Sequence, residues 1–158
     1  MTTASGTDVT TDLTSIDPVE AALVVRLRMA VTRLHRSLRQ QADGGLTPSQ
    51  ASALAGVERL GSPTLGELAA RESVQPPSMT RIVCALEELG HVTRVVDPSD
   101  RRVARITITP SGEAVLGHIR SLKTAFLADR VATLDPSDRA ALADLTALLE
   151  RLVDGAPG

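Results

Sequence analysis

The stretch of sequence that decides the fold runs from Thr64 to Thr109 and reads TLGELAARESVQPPSMTRIVCALEELGHVTRVVDPSDRRVARITIT. Its apolar residues recur first at helical spacing and later at the alternating spacing of strands. The pattern predicts helices over 65–71 and 76–89, separated by a tight turn, and then strands over 91–96 and 103–108, joined by a charged loop. This is the order of a helix–turn–helix followed by a β-wing, a unit that places its second helix in a DNA major groove and its wing beside it.

Capping residues followed by proline mark the starts of four helices. The Asp or Thr side chain caps the first turn, and the proline fills the first helical position, where a backbone N–H has no partner. The four pairs are Asp17-Pro18, Thr47-Pro48, Thr109-Pro110 and Asp135-Pro136. They predict helices over 18–41, 48–60, from 110 into the 130s, and over 136–153. The predicted fold class is mainly α with a small β-wing: a winged helix–turn–helix plus a helical dimerisation layer.

Apolar stripes on the first and last helices predict that two copies of the chain pair. The stripes consist of Val24, Leu27, Val31, Leu34 and Leu38 on the first helix and Leu142, Leu145, Leu149 and Leu152 on the last. A lone helix cannot bury such a stripe, and a two-fold protein matches a palindromic DNA site. The alternative is that these helices cover the winged unit within a monomer. The predicted division is a flexible tail (1–17), a first dimerisation helix (18–45), the winged helix–turn–helix (46–109) and C-terminal dimerisation helices (110–158).

Composition narrows the function classes. Phe126 is the single aromatic residue in the chain, so stacking on single-stranded nucleic acid is excluded as a main binding mode. No apolar run approaches the length of about 18 residues that a membrane span needs, and no secretory signal is recognised at the N-terminus. The single Cys84 cannot form an internal disulfide, which fits a reducing compartment. We therefore expect a cytoplasmic protein with no membrane partner.

The net charge of −2 does not favour DNA binding, but its distribution does. Residues 18–45 carry five arginines against Glu20 and Asp43, and the tail over 1–17 carries only acidic charges. Within the winged unit the arginines concentrate late, at Arg94, Arg101, Arg102 and Arg105. A chain that is nearly neutral as a whole can still present one positive face to DNA. The alternative interpretation is an ordinary solvated surface of mixed charge.

The predicted second helix of the motif divides into a core face and an open N-terminal end. The core face is predicted to hold Met79, Ile82, Val83, Leu86 and Leu89. The open end presents free N–H groups and the positive end of the helix dipole, together with the candidate DNA-binding residues Gln75, Pro77, Ser78, Thr80 and Arg81. Small hydroxyls and a Gln can read base edges, a proline can touch a thymine methyl, and an arginine can bind guanine or phosphate. The alternative is a polar face in contact with solvent only.

The loop Asp97-Pro98-Ser99-Asp100-Arg101-Arg102 is the second candidate element. Asp-Pro favours a turn, and two arginines at a hairpin tip suit a narrow minor groove, where the negative potential is strongest. Asp100 is a poor DNA contact, so we expect it to hydrogen-bond a neighbouring arginine and hold it in place. The alternative is a solvated turn whose charges pair with one another.

Several of these motifs, taken in order, resemble the MarR family of bacterial transcription regulators. They are the start of the second motif helix, the following strand, the D-P-x-D-R-R wing and the T-P-x-G-E sequence from Thr109 to Glu113. The resemblance covers about residues 18–153. It implies a homodimer whose first, fifth and sixth helices pair, a fourth helix that enters the major groove, and a wing in which Asp100 and Arg102 matter most. It also implies repression of nearby genes and release from DNA by small phenolic or anionic ligands. The Pro76-Pro77 pair departs from many members, which have polar residues there.

Other functions have weaker support in the sequence. Cys84 could sense oxidants, although a small packing role is the simpler interpretation. His35 and His118 could form a metal site between two helices, although no pair of histidines has ligand spacing and surface positions are the alternative. No G-x-S-x-G, Walker or G-x-G-x-x-G motif supports an enzyme or a cofactor. A winged module that binds protein instead of DNA would lack a steep salt dependence of duplex binding. The sequence thus predicts a non-enzymatic, sequence-specific regulator that binds double-stranded DNA.

Overall fold

A computed structural model describes residues 17–41, 44–97 and 99–155. Within these ranges the chain forms six helices and one antiparallel pair of strands: α1 (Pro18–Gln40), α2 (Pro48–Leu60), α3 (Leu65–Arg71), α4 (Pro76–Glu88), β1 (Val92–Val96), β2 (Ala104–Ile108), α5 (Pro110–Ala132) and α6 (Pro136–Asp154). Each predicted element is present, with its ends within one residue of the prediction where one was made. The predicted flexible tail, apart from Asp17, and the proline of the Asp97-Pro98 turn lie outside the described residues.

The predicted caps explain where the helices begin. Thr47 and Gln50 form a reciprocal capping box at α2, and Thr64 and Glu67 form another at α3. At α6 the Asp135 side chain accepts a hydrogen bond from the backbone N–H of Asp138 at 2.8 Å. Each cap contributes about 1 kcal/mol, so the caps fix the helix ends while the apolar core supplies most of the stability.

The core lies in the second of two compact units, which comprises residues 39–158. It is almost entirely aliphatic and draws on every element of the winged region: Leu54 and Val57 of α2, Leu68 of α3, Met79, Val83 and Leu86 of α4, Val92 of β1, Ile106 of β2 and Leu116 of α5. The prediction that Leu89 faces this core is wrong, since 49% of Leu89 is exposed. Leu89 caps α4, and the following Gly90 turns the chain away with a φ of 74°.

The two strands form the wing, with Val92 paired to Ile108 and Val96 to Ala104. The outer edge of β2 is not free. The backbone N–H of Ile106 donates to the carbonyl of Pro63 at 2.8 Å, in the connection between α2 and α3. The wing is therefore attached along one edge to the helix–turn–helix from which it extends.

The first turns of α5 pack directly on the winged region. Thr109 donates its hydroxyl to the carbonyl of Gly90 at 2.6 Å and its N–H to that of His91 at 3.0 Å. Gly112 lies so close that a Cβ atom would overlap the His91 carbonyl. Further along, Arg120 donates to both carboxylate oxygens of Glu58 on α2, and this hydrogen bonding lowers the pKa of Glu58. The start of α5 is thus continuous with the core.

The apolar stripes predicted on the terminal helices are largely solvent-exposed, and neither α1 nor α6 contains a buried residue. The exposed large apolar side chains are Val19, Leu23, Val24, Val25, Met29, Val31 and Leu34 on α1 and Leu142, Leu145, Leu148, Leu152 and Val153 on α6. Among the described residues, no helix combines the length and apolar character needed to cross a membrane.

Replacing Gly112 with Ala should destabilise the protein, because the added methyl group meets the His91 carbonyl and a side-chain carbon of Ile108. Overpacking of this kind costs about 1–3 kcal/mol. Gly117→Ala is the matched control on the same helix: a Cβ there meets no atom within 4 Å, so helix propensity should raise stability by about 0.5–1 kcal/mol. Urea denaturation measures both free energies of unfolding. Equal effects of the two substitutions would contradict the close packing at Gly112.

Candidate nucleic-acid interface

The N-terminal end of α4 is exposed because its opposite face is anchored in the core. Met79 and Val83 are fully buried, whereas Pro77, Ser78 and Arg81 lie on the opposite side and are exposed. The preceding Gln75 occupies the cap position, is exposed, and makes no side-chain capping hydrogen bond. Four of the five predicted α4 residues therefore share one accessible end, with amide, hydroxyl and guanidinium groups directed outward.

Thr80, the fifth predicted residue, is placed differently. It is half-buried, and its hydroxyl donates to the carbonyl of Pro76 at 2.9 Å. Its donor is therefore used within the first turn of the helix. Thr80 stiffens this turn and has less to offer a base edge than Ser78.

The turn between α3 and α4 sets the relative positions of the two helices. Ser73 adopts a left-handed conformation with a φ of 52°, which is uncommon for a non-glycine residue. The N–H of Val74 donates a hydrogen bond to the carbonyl of Ala69 at 3.0 Å. A groove follows this turn and is lined by small side chains and the start of α4: Gly66, Ala69, Ala70, Ser73, Val74, Gln75 and Pro76.

At the tip of the wing the backbone is ordered while the arginine side chains remain free. Asp100 accepts the backbone N–H of Arg102 at 3.0 Å, and its carboxylate lies 4.0 Å from the Arg102 guanidinium. The Arg102 side chain is 96% exposed, and Arg101 is exposed as well. Asp100 does contact the neighbouring arginine, but mainly through the backbone.

The strongest polar cluster of the wing lies at its base and was not predicted. Asp97 is the one buried charged residue among those described, with 6% of its surface exposed. Its carboxylate accepts the Ser99 N–H at 2.8 Å, the Ser99 hydroxyl at 2.5 Å and Nε of Arg105 at 2.5 Å. Arg105 also donates Nη1 to the Ser62 carbonyl at 3.2 Å. The hairpin register could have suggested this pair: Val96 faces Ala104, which makes Asp97 and Arg105 diagonal neighbours.

These contacts act electrostatically on Asp97. Hydrogen bonds from Ser99, and then from Arg105, hold the pKa of the Asp97 carboxyl well below its usual range. A carboxyl whose pKa is lower in the folded chain than in the unfolded chain stabilises the folded state once the pH exceeds the unfolded value of about 4. The contribution is complete at neutral pH and is lost as the pH falls through the folded value. The base of the wing is therefore charged and internally paired under physiological conditions.

The sequence profile of the MarR family matches residues 46–104. An uncharacterised helix–turn–helix transcriptional regulator of Mycobacterium bovis is 38% identical over 139 residues, which are 87% of this chain and 97% of the relative. The chain belongs to the MarR family. It is thus a DNA-binding transcriptional regulator with a winged helix–turn–helix and not an enzyme, as the sequence predicts.

Solved structures agree with the MarR fold. A putative transcriptional regulator from Pseudomonas aeruginosa has a TM-score of 0.78 at 32% identity, over 87% of this chain and 98% of that one. A mutant of MepR from S. aureus, solved bound to an oligodeoxyribonucleotide, has a TM-score of 0.65 at 21% identity, over 82% and 97%. At that identity the second likeness shows the fold alone.

Cys84 lies on α4 of this MarR regulator, and Arg94 of β1 packs against it. Arg94 of β1 forms an ion pair with Glu87 at 3.2 Å and donates to the Cys84 sulfur at 3.3 Å. Arg94 thus ties the wing to α4 and contributes less free positive charge than predicted. The packing role predicted for Cys84 is wrong, because Cys84 is exposed: it occupies the solvent-facing side of α4, next to β1.

The histidines of the MarR regulator are dispersed. His91 lies 3.1 Å from the Ser111 hydroxyl through Nδ1, while His35 and His118 are exposed. Over residues 17–41, 44–97 and 99–155, no group of three or more His, Cys, Asp or Glu residues could hold a metal ion.

Proposed function

We propose that this MarR regulator binds a pseudo-palindromic duplex operator as a homodimer. Each α4 reads one half-site in the major groove, and each wing contacts the flanking minor groove. The half-sites lie one helical turn apart, roughly 34 Å. The proposal is carried by two features found together: the N-terminal end of α4 is exposed, and the Arg102 side chain at the wing tip is almost completely exposed.

The chemistry of the α4 end suits base recognition at close range. Ser78 and Gln75 offer polar side chains at the N-terminal end of α4, where the helix dipole favours phosphate. The free N–H groups predicted for this turn are not there, because Pro76 and Pro77 carry none and the N–H groups of Ser78 and Met79 donate to the Gln75 carbonyl. Arg81 lies one turn further along the same exposed face and reaches guanine or a phosphate. Pro77 supplies an apolar contact for a thymine methyl. Because α4 is anchored by its buried face, these groups approach DNA in one fixed orientation.

The wing tip suits the DNA minor groove, where recognition depends more on groove width than on contacts with base edges. Arg101 and Arg102 carry two adjacent guanidinium groups, and the carboxylate of Asp100 accepts the backbone N–H of Arg102. Arginines enter narrow minor grooves because the negative potential is strongest there. Arg101 and Arg102 therefore act as the second DNA contact of each subunit, and Asp100 holds the backbone of Arg102 in place.

Homodimerisation is supported by the exposed terminal helices. The α6 stripe of exposed leucines and the exposed apolar face of α1 each exceed the scattered apolar side chains that a monomer normally presents to solvent. A second copy of the chain would cover both, as a two-fold axis repeats the same surface.

We further propose that the dimer represses its target gene in the cytoplasm and is released from DNA by a small phenolic or anionic ligand. Such a ligand acts only if it binds the DNA-competent and DNA-incompetent conformations with different affinity. Adding phenolic acids to the protein–operator complex should therefore lower duplex affinity in a saturable manner, measured by fluorescence anisotropy. Constant affinity across a broad panel of such compounds would contradict ligand release while leaving DNA binding intact.

Arg102→Ala should weaken duplex binding by about tenfold or more and reduce the slope of log affinity against log salt by about one. The reason is the loss of a guanidinium that is free in the unbound protein. Arg59→Ala, which removes an exposed arginine of α2 outside the predicted contact set, is the control. The measurement is a salt titration of operator binding on the duplex DNA that flanks the gene. If both variants behaved alike, the wing would not be a DNA contact.

Leu145→Asp should dissociate the dimer, because it places a charge in the exposed leucine stripe of α6. A central interface side chain contributes about 2 kcal/mol or more, so the dissociation constant of the dimer should rise by about thirtyfold or more. Ala147→Asp puts the same charge on the opposite face of α6 and should leave the dimer intact. Light scattering after size-exclusion chromatography gives both masses. Equal masses for the two variants would place the interface elsewhere.

A further inference from the structure

We propose that Arg105 and Asp97 are positioning residues of the wing: together they fix the hairpin so that Arg101 and Arg102 point at DNA, and Arg105 itself does not contact DNA. This inference rests on the proposed DNA binding and assigns a role to a basic residue that charge alone would count among the DNA contacts.

Two donors of Arg105 are directed inward. Its Nε donates to Asp97 and its Nη1 to the Ser62 carbonyl. Its side chain is 42% exposed, against 96% for Arg102. A phosphate that took Nε of Arg105 would have to displace a buried carboxylate at 2.5 Å, and breaking that pair would leave the Asp97 charge without its partner in a buried position.

The contacts around Arg105 connect the wing to a segment outside it. Ser62 precedes α3, and besides accepting Nη1 of Arg105 its hydroxyl lies 3.1 Å from that of Thr107. The next residue, Pro63, accepts the N–H of Ile106. Arg105 thus bridges β2, the α2–α3 connection and the base of the wing loop at Asp97.

From Asp97 the constraint extends to the tip through the backbone. The Asp97 N–H donates to the carbonyl of Val103, and the Val103 N–H donates to that of Asp100, both at 2.9 Å. Asp100 in turn accepts the Arg102 N–H. The polypeptide that carries Arg102 is therefore ordered before DNA arrives, while the guanidinium stays free. A loose hairpin would lose conformational entropy on binding, and a pre-ordered one avoids this cost.

The decisive variant is Asp97→Asn, for which charge and positioning predict opposite effects. Removing a negative charge should strengthen binding to DNA if only net charge mattered. If Asp97 positions the wing, the substitution should weaken operator binding by about tenfold, because the coupling to Arg105 is lost. Glu88→Gln is the matched control: it removes an exposed carboxylate at the end of α4 and should leave affinity equal or slightly higher.

A double-mutant cycle separates positioning from a general loss of structure. In a background that carries both Arg101→Ala and Arg102→Ala, the effect of Asp97→Asn should shrink to less than about twofold, since both positioned side chains are gone. A tenfold effect in both backgrounds would mean that Asp97 supports the fold as a whole, and the proposal would be overturned. Circular dichroism at the assay temperature verifies that each variant is folded.

Arg105→Lys provides a second variant, for use also if Asp97→Asn fails to fold. It keeps the positive charge but cannot hold Asp97 and Ser62 at once, because an ammonium group lacks the planar fork of arginine. The positioning role predicts that Arg105→Lys weakens binding about as much as Asp97→Asn, with the salt slope unchanged. Wild-type affinity in this variant would overturn the proposal. If the wild-type protein itself showed no salt-dependent duplex binding, the proposed function would fail, and the inference with it. Wild-type binding combined with unaffected variants would overturn the inference alone.

Discussion

The anchoring of one face of α4 in an aliphatic core is the constraint on which the rest of the structure depends. Met79, Val83 and Leu86 are buried among apolar side chains from the neighbouring helices and the wing. With no aromatic residue in this core, Leu, Val, Ile, Ala and Met side chains fill its volume, and close packing leaves little room for rearrangement. Anchoring one face determines the other: the polar groups of the first turn can only point outward. The exposure of these polar groups is thus a consequence of how the core is filled.

The proposed DNA interface is local, which reconciles DNA binding with the net charge of −2. Several arginines that look available in the sequence are already neutralised in the fold. Arg94 pairs with Glu87 and Arg105 pairs with Asp97. Within the wing, the exposed positive charge is thereby concentrated at Arg101 and Arg102 of the tip. A count of basic residues therefore overestimates the surface available to DNA. Their ion pairs identify the arginines that stabilise the fold instead.

Local features of the sequence predicted most of the fold, because caps, prolines and apolar spacing act within a few residues. The errors arose where longer-range geometry decides. Leu89 fits the apolar periodicity of α4 but follows its last residue, so the turn at Gly90 carries it into solvent. Cys84 resembles a packing residue by type, yet its position on α4 places it outside. The Asp97–Arg105 pair depends on the strand register, which the sequence pattern alone does not specify to one residue. The candidate residues on α4 and the wing tip stay a prediction, and their placement at one helix end and one hairpin tip follows directly from the local sequence.

The close contact at Gly112 has a consequence for the evolution of these regulators. Leu116 and Ile119 are buried, and Gly112 abuts the turn that ends α4. The folded unit that carries the winged helix–turn–helix therefore extends beyond β2 into α5. Recombination that exchanged DNA specificity between relatives would preserve the packing only if the crossover fell beyond Ile119. The first three turns of α5 would then be inherited together with the winged helix–turn–helix. The packing of these turns therefore links the inheritance of DNA specificity to the inheritance of the first part of α5.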